Sequence, residues 1–202
     1  MIDQNAYYYR DFHHGVTDAL QGKVLNVGSS GPHPKALMPF KAAIQRKQDA
    51  GEYFYTDING GNLVSSVYDL PFEYQTFDSI ICLAVLEHVA RPGEAISGML
   101  DVLKMGGTMF LTVPFMFAEH AKPGYYEDFH RWTHRGLESL FEYRIRELTI
   151  KPCGGSITMR ASLFPKLYRM LLNPVGQAML AYLDDRYGNY RTSLGWMITA
   201  RA

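Results

Sequence analysis

A turn of small residues and two aspartates are the parts of this sequence best suited to hold a ligand. Residues 24–27 form a short apolar run, typical of a buried parallel strand, and Gly28 to Gly31 follow it directly. Small residues let the backbone approach a ligand closely, and ligands of open α/β sheets lie where such strands end. Asp57 ends the next predicted strand, where a carboxylate can accept the hydroxyls of a ribose. With Asp69 further along, these pieces predict a cradle for a nucleotide-type cofactor.

Each piece also has a simpler interpretation when it is taken alone. Small-residue turns are common between strands and helices, and Asp57 precedes Asn59-Gly60-Gly61, which is typical of a turn. Pro32, Pro34 and Pro39 delay the helix that should follow the first turn. A pyrophosphate bound at the start of that helix is therefore less favoured.

The elements that must position these residues alternate between strand-like and helix-like segments. This alternation predicts an α/β fold with a seven-stranded, mostly parallel sheet and helices on both of its faces. The last two strands are expected to form a hairpin that brings one antiparallel strand into the sheet. The predicted strands are 23–27, 52–56, 63–67, 79–83, 108–113, 144–151 and 193–200, and the predicted helices are 8–21, 39–50, 92–104, 133–143 and 165–185.

Composition narrows the class of protein. The chain has 202 residues, of which 47% are hydrophobic, and this suits a single domain over residues 1–202. Lysine plus arginine equals aspartate plus glutamate at 20 each, so we expect no nucleic-acid partner. The longest apolar stretch, 109–118, is too short for a membrane span.

Cys82 and Cys153 are the only cysteines in the sequence. Two isolated cysteines favour reduced thiols and a cytoplasmic protein. They form no zinc-binding pattern, so no metal is expected.

Ordered motifs in the middle of the chain are more specific than any single turn. Asp69-Leu70-Pro71-Phe72 is followed by Phe77-Asp78 at the start of a strand and by Leu86-Glu87-His88-Val89 at its end. Val102 to Gly107 then leads into the apolar run from Phe110 to Pro114. Together these motifs resemble class I S-adenosylmethionine-dependent methyltransferases, and more narrowly their small-molecule branch with the minimal, domain 11-like methyltransferase domain. This resemblance implies a Rossmann-like fold and S-adenosyl-L-methionine as the cofactor.

The resemblance covers residues 23–143 and implies a role for individual positions. Gly28 to Gly31 would line the methionine and ribose, Asp57 would bind the ribose diol, and Asp69 would accept from the adenine amino group with Leu70 on the ring. The family usually has an acid at the position of Asn26 and a glycine at that of Ser30. The full set of cofactor residues expected is Asn26, Gly28, Ser29, Ser30, Gly31, Asp57, Ile58, Asp69, Leu70, Leu83 and Ala84.

Catalytic candidates must come from loops above the carboxyl ends of the strands. His88 follows the fourth predicted strand, and the loop after the fifth is rich in acids, imidazoles and phenols. We interpret 115–133 as an acceptor-binding insert, with His88, His120 and His130 as candidate bases. The alternative is that these histidines are hydrogen-bonded scaffold residues and that Arg131 and Thr133 only brace and cap the next helix. Asp78 and Pro114 are interpreted as structural.

The two ends of the sequence carry weaker signals. Residues 1–22 contain an aromatic run that predicts an amphipathic helix or a lid. Residues 163–190 carry Leu, Met and Tyr at helical spacing, which indicates core packing or a homodimer interface.

These observations favour a methyltransferase that acts on oxygen or nitrogen of a small molecule or saccharide unit. A non-catalytic family member that binds the cofactor or a protein partner is the alternative. A nicotinamide-dependent oxidoreductase is a more distant one, because a Tyr-x-x-x-Lys pair that could polarise a carbonyl is not found.

Overall fold

Seven strands form one sheet in the computed structural model, which describes residues 9–141, 144–171, 173–189 and 192–202. The strands are β1 Val24–Val27, β2 Tyr53–Asp57, a short β3 Gly60–Gly61 outside this sheet, β4 Leu63–Val64, β5 Phe77–Leu83, β6 Leu103–Pro114, β7 Glu147–Pro152 and β8 Gly195–Arg201. The order across the sheet is β4-β2-β1-β5-β6-β8-β7. All neighbouring pairs are parallel except β6 with β8 and β7 with β8, so β8 is the one antiparallel strand, as predicted.

Helices and apolar clusters cover both faces of the sheet. One cluster packs helices α3 (Pro92–Val102) and α4 (His134–Leu140) against strand residues such as Leu25 and Ile80. The other packs helices α1 (Tyr9–Ala19) and α2 (Lys41–Asp49) against strand residues such as Val24 and Phe110. This arrangement of layers confirms the predicted α/β class. The helices are α1 Tyr9–Ala19, α2 Lys41–Asp49, α3 Pro92–Val102, α4 His134–Leu140, α5 Ser156–Ser162, α6 Pro165–Leu171 and α7 Pro174–Tyr187, with 3₁₀ turns at Lys35–Phe40 and Leu86–His88.

The helix predicted over 165–185 is wrong as a single element. Asn173 accepts hydrogen bonds from the N–H groups of Val175 and Gly176, so a new helix begins at Pro174. Proline lacks the N–H that an uninterrupted helix would need there, and it is tolerated at the first helical position. The short helix α5, which lies between β7 and α6, was not predicted.

Other boundaries shift for local reasons. The predicted strand 63–67 shortens to Leu63–Val64, and α2 begins only after the 3₁₀ turn that contains Pro39. Gly106 has a φ of +77° and bulges out within β6, because Leu103 pairs with Phe77 while Thr108 pairs with Ser79. This glycine therefore does not end α3. Thr133 caps α4 by accepting from the Gly136 N–H, as predicted.

The carboxyl ends of five parallel strands, together with the end of β7, lie at one edge of the sheet, here called the carboxyl edge. Pro114 pairs with Gly195 and Pro152 pairs with Trp196. The chain segment that contains α5 to α7 therefore begins and ends at this edge of the sheet. None of the helices among the described residues combines the length and apolar character that crossing a bilayer requires.

Candidate functional site

The turn after β1 needs a glycine at its first position. Gly28 has a φ of +74°, and a Cβ placed there would lie 2.3 Å from Cγ2 of Val85. Ser29 is buried, donates its N–H to the Thr56 carbonyl at 2.8 Å and donates its hydroxyl to the Gly31 carbonyl. A Cβ at Gly31 would meet no atom within 4 Å. The turn is therefore held by backbone contacts and borders open space at Gly31.

Asn26 and Ser30 occupy the two positions that depart from the family pattern. The Asn26 amide is buried and donates to the Tyr53 hydroxyl at 2.9 Å, and that hydroxyl lies 3.4 Å from the Pro32 carbonyl. Ser30 is exposed and accepts the Gly61 N–H through its carbonyl. Asn26 therefore fixes the segment after the turn, a task for which an amide donor is suited.

Asp57 lies at the end of β2, next to the turn. Its Oδ1 accepts the Asn59 N–H at 2.8 Å, and its carbonyl accepts the Ser65 N–H. The side chain of Ile58 is exposed beside it. Within the described residues the second carboxylate oxygen accepts no hydrogen bond, so it is available to a ligand hydroxyl.

Asp69 and Leu70 follow the short strand β4. Asp69 is exposed and forms an isolated bridge with Ser66, whose neighbour Ser65 contacts Asp57. Leu70 is half-buried and packs on the apolar cluster of α3. Asp57 and Asp69 are thus linked through Ser65 and Ser66.

Leu83 and Ala84 complete the predicted cofactor residues. Leu83 ends β5, and Ala84 follows with a φ of +53°, in the left-handed region that costs a residue with a Cβ about 1–2 kcal/mol. The Ala84 N–H donates to the Thr112 carbonyl on β6, which holds this conformation. Strained backbone of this kind clusters at functional sites.

The loop after β6 folds back onto the 3₁₀ turn at Leu86–His88. The Glu87 carbonyl accepts the Phe129 N–H at 2.7 Å, and the His88 Nδ1 donates to the Glu127 carbonyl at 2.6 Å. The rings of His88 and His120 meet edge to face with centroids 4.8 Å apart. Two of the three predicted histidines therefore come together, although 32 residues separate them in the chain.

Glu87 lies between these two histidines. Its side chain is only 1% exposed, and its Oε1 is 3.9 Å from the His88 Nε2 and 4.0 Å from the His120 Nε2. Both carboxylate oxygens are buried without a hydrogen-bond partner among the described residues. Burial raises the pKa of Glu87 to about 7, and the neighbouring Asp128 carboxylate acts in the same direction. Burial also lowers the pKa of His88.

Asp128 and Arg131 form the frame of this loop. Arg131 donates to both carboxylate oxygens of Asp128 and to the carbonyls of Phe117 and Ala118. These hydrogen bonds hold the pKa of Asp128 well below its ordinary value. Asp128 in turn accepts the His120 N–H at 2.9 Å. Arg131 is thus a bracing residue, in agreement with the structural interpretation of its sequence position.

Among the described residues the His130 ring contacts Phe129 and Trp132 and not the rings of the other two histidines. The His130 ring packs on Trp132 with ring centroids 4.9 Å apart. Its backbone N–H lies 3.3 Å from the Glu87 carbonyl oxygen. The structure therefore favours His88 and His120 over His130 for contact with a ligand beside Glu87. We did not predict Glu87 or Asp128 as site residues. An acid that directly precedes a histidine at the end of a buried strand was the available signal for Glu87.

Asp78 has the structural role expected of it. Its Oδ2 accepts the Lys23 N–H at 2.8 Å, and its Oδ1 pairs with the Lys104 ammonium at 2.8 Å. Pro114 is the last residue of β6, also as expected.

Comparisons with known proteins agree with this geometry. Residues 32–111 match a family model described as a methyltransferase domain, which confirms over this segment the predicted resemblance to class I S-adenosylmethionine-dependent methyltransferases. No curated protein sequence matches the chain.

Solved structures share the fold at low sequence identity. A chain from the complex of the Haloferax volcanii Trm112 methyltransferase activator with a candidate methyltransferase is 18% identical, with a TM-score of 0.56 over 96% of this chain and 92% of that one. An S-adenosylmethionine-dependent methyltransferase from Mesorhizobium loti is 9% identical, with a TM-score of 0.56 over 98% of both chains. A SAM-dependent methyltransferase from Archaeoglobus fulgidus is 13% identical, with a TM-score of 0.55 over 95% and 91%. These likenesses establish a Rossmann-like methyltransferase fold.

Proposed function

We propose that this protein, whose residues 32–111 match a methyltransferase domain, transfers a methyl group from S-adenosylmethionine to oxygen or nitrogen of a small molecule or saccharide unit. The observation that carries the proposal is the arrangement of the carboxyl edge. The Gly28 turn and Asp57 lie at the ends of β1 and β2, while Glu87, His88 and His120 lie beyond the ends of β5 and β6. A cofactor site and an acceptor site would thus be neighbours along one edge.

The residues present fit an adenosyl cofactor. The turn borders open space at Gly31, Asp57 keeps a carboxylate oxygen for a ribose hydroxyl, and Asp69 is exposed toward solvent. Ala84 holds its strained backbone where the methionine part would lie. S-adenosylmethionine, when bound, supplies an electrophilic methyl group on a sulfonium. The chain's residues then have to orient the acceptor in line with that methyl group and exclude water.

The loop 115–133 is the proposed acceptor-binding segment. It is tied to the 3₁₀ turn at Leu86–His88 by backbone hydrogen bonds and braced by Arg131, so the histidine rings have fixed positions. An acceptor hydroxyl loses its proton as the new bond to the methyl carbon forms. His88 and His120 are the groups placed to receive that proton, directly or through a bound group.

One observation favours a non-catalytic alternative. The Asn26 amide, at the position where the family has an acid, is occupied by the Tyr53 hydroxyl and carries no charge that could attract a cofactor ammonium. Such a protein would bind the cofactor or a protein partner without turnover.

Calorimetry with S-adenosylmethionine, S-adenosylhomocysteine and NAD tests the cofactor. We expect both adenosyl compounds to bind and NAD not to bind. Asp57→Ala should weaken binding at least tenfold, because the ribose loses its acceptor, while Asp49→Ala on the surface of α2 should bind as the wild type does. Binding of NAD in preference to either adenosyl compound would refute the proposal.

Methyl transfer is tested separately, with labelled donor and a panel of hydroxyl and amine acceptors. Labelled product from at least one acceptor, lost in His88→Ala and His120→Ala, is the expected result. Tight cofactor binding without transfer to any acceptor of the panel would favour the non-catalytic alternative.

A further inference from the structure

We propose that Glu87, His88 and His120 bind a divalent transition-metal cation at the acceptor side of the carboxyl edge. The three residues, here called the acceptor triad, each present one ligand atom, and these atoms lie within 4.8 Å of one another. Two imidazoles and one carboxylate form the ligand set of many mononuclear sites for zinc, iron and related ions. The two cysteines predicted no metal, whereas this set of ligands consists of glutamate and histidine.

The protonation of the histidines is the first step of the argument. The His88 Nδ1 lies 2.6 Å from the Glu127 carbonyl oxygen, which can only accept, so this nitrogen carries the proton. The His120 Nδ1 lies 3.0 Å from the Asp128 Oδ2 and 3.2 Å from the Ala118 carbonyl, both acceptors, and 3.5 Å from the Arg131 Nη2. The two closer neighbours assign the proton to Nδ1 here as well. In the neutral rings both Nε2 atoms then carry lone pairs.

Three acceptors therefore face one another. Both Nε2 lone pairs approach the Glu87 carboxylate, which is buried and lacks a hydrogen-bond donor among the described residues. Burial of a carboxylate whose oxygens lack a hydrogen-bond donor is destabilising, and the Arg131 guanidinium, whose charge acts on Glu87, already donates to both oxygens of Asp128. A positively charged ion between the three atoms would remove this penalty.

The distances favour a cation over a shared proton. A hydrogen bond from a protonated Glu87 to either histidine would need a separation of about 2.6–3.2 Å, whereas the separations are 3.9 and 4.0 Å. Ligand bonds of about 2.1 Å in a tetrahedral site place ligand atoms about 3.4 Å apart. Roughly 0.5 Å of approach would bring the Glu87 Oε1 to this separation from each histidine nitrogen, and the two histidine atoms, within 4.8 Å of each other, would approach by at most about 1.4 Å.

The groups that contact the Nδ1 atoms of His88 and His120 are of the kind that orient histidine ligands in metal sites. Metal-binding histidines commonly donate their second N–H to a backbone carbonyl or a carboxylate, which fixes the ring. His88 does so to Glu127, and His120 faces Asp128, which Arg131 clamps. Three protein ligands also leave coordination positions for another molecule. Given the proposed function, such a cation would bind an acceptor hydroxyl and lower its pKa, so that the proton passes to water, since both ring nitrogens of His88 and His120 are then occupied; this favours oxygen as the methylated atom.

The test uses Co²⁺ as the probe, since its visible spectrum reports the ligand geometry. Chelator-treated full-length protein should bind one equivalent of Co²⁺, with a spectrum that Zn²⁺ abolishes by competition. Glu87→Ala, His88→Ala and His120→Ala should each weaken Co²⁺ binding at least tenfold. His14→Ala on α1 and Glu94→Ala on α3, both exposed, are matched controls that should bind Co²⁺ as the wild type does.

Two further measurements separate the possible failures. Co²⁺ should raise the melting temperature of the wild type and not that of the triad variants, while the affinity for S-adenosylhomocysteine stays unchanged in all of them. Co²⁺ affinity equal in wild type and triad variants, or no stoichiometric binding by the wild type, would overturn the cation site. If the wild type does not bind S-adenosylhomocysteine, the proposed function is overturned, while the Co²⁺ result remains valid.

Discussion

Gly28 shows how one missing side chain shapes the turn at the cofactor site. Its φ of +74° and the approach of Val85 both exclude a Cβ. We expect Gly28→Ala to lower the free energy of unfolding by about 2–4 kcal/mol, from left-handed strain and overpacking. Chemical denaturation measures the loss. Gly93→Ala, in the first turn of α3 with open space around it, should change stability by less than about 1 kcal/mol, and an equal effect of both variants would contradict the argument.

Asp78 gives a residue-scale prediction about pH. Partial burial acts to raise its pKa, but the hydrogen bond from Lys104 and that from the Lys23 N–H outweigh burial, so its folded-state pKa is below 3.8. A lowered pKa means that the stabilisation is present above the unfolded-state pKa and is lost as pH falls through the folded-state value.

The stability difference between wild type and Asp78→Asn should therefore be constant above about pH 5 and shrink at lower pH. Denaturant unfolding at a series of pH values measures it. Asp18→Asn, on the exposed side of α1, serves as the control and should show no comparable dependence. A difference that grows as the solution is acidified would be the opposite of the expected sign.

At the scale of elements, α5 depends on a side chain from another helix. The buried Asp184 of α7 accepts the N–H groups of Gly155, Ile157 and Thr158 and the Thr158 hydroxyl. It thereby satisfies the first turn of α5, whose own preceding residue, Gly155, has no side chain to do so.

Asp184→Ala should thus reduce the free energy of unfolding by about 2–4 kcal/mol, because four buried or half-buried donors lose their acceptor. Asp18→Ala, on the exposed side of α1, should change it by less than about 0.5 kcal/mol. Hydrogen exchange of the α5 amides should accelerate in the first variant only. If the free energy of unfolding of Asp184→Ala equals that of the wild type, the Asp184 hydrogen bonds do not stabilise α5.

The sheet was predictable because buried parallel strands are continuous apolar runs with turn residues at their ends. Ile80 to Leu83 is such a run and Val24–Val27 is close to one, and the order of motifs placed Gly28 and Asp57 at strand ends. The break at Asn173-Pro174 was visible in the sequence as a cap followed by proline, but the longer helical spacing of apolar residues obscured it.

The acceptor triad was beyond sequence reasoning for a physical reason. Glu87 and His88 are adjacent, but His120 reaches them through an irregular loop whose path is set by Asp128, Arg131 and backbone hydrogen bonds. Irregular loops have no periodicity from which facing side chains could be deduced. For the same reason His130, which is two residues from Asp128, could not be separated from His120 in advance.

At the scale of the whole molecule, α6 and α7 leave an apolar surface uncovered. Leu167 and Met170 on α6 are exposed, and Val175, Met179 and Tyr182 are exposed at positions i, i+4 and i+7 of α7. Packing into the protein's own core, one of the two predictions for this segment, is therefore wrong for these residues. Monomers rarely expose contiguous apolar patches of large size, so the homodimer remains as the prediction.

We expect the wild type to sediment as a dimer at micromolar concentration and Met170→Glu to sediment as a monomer, because a charge at a position now 72% exposed would be buried in the interface. Met105→Glu is the matched control, since Met105 is equally exposed but lies in the bulge of β6, and it should remain dimeric. Analytical ultracentrifugation over a concentration series distinguishes these cases. A wild type that is monomeric throughout the series would refute the homodimer, and dissociation of both variants would place the interface elsewhere than on α6 and α7.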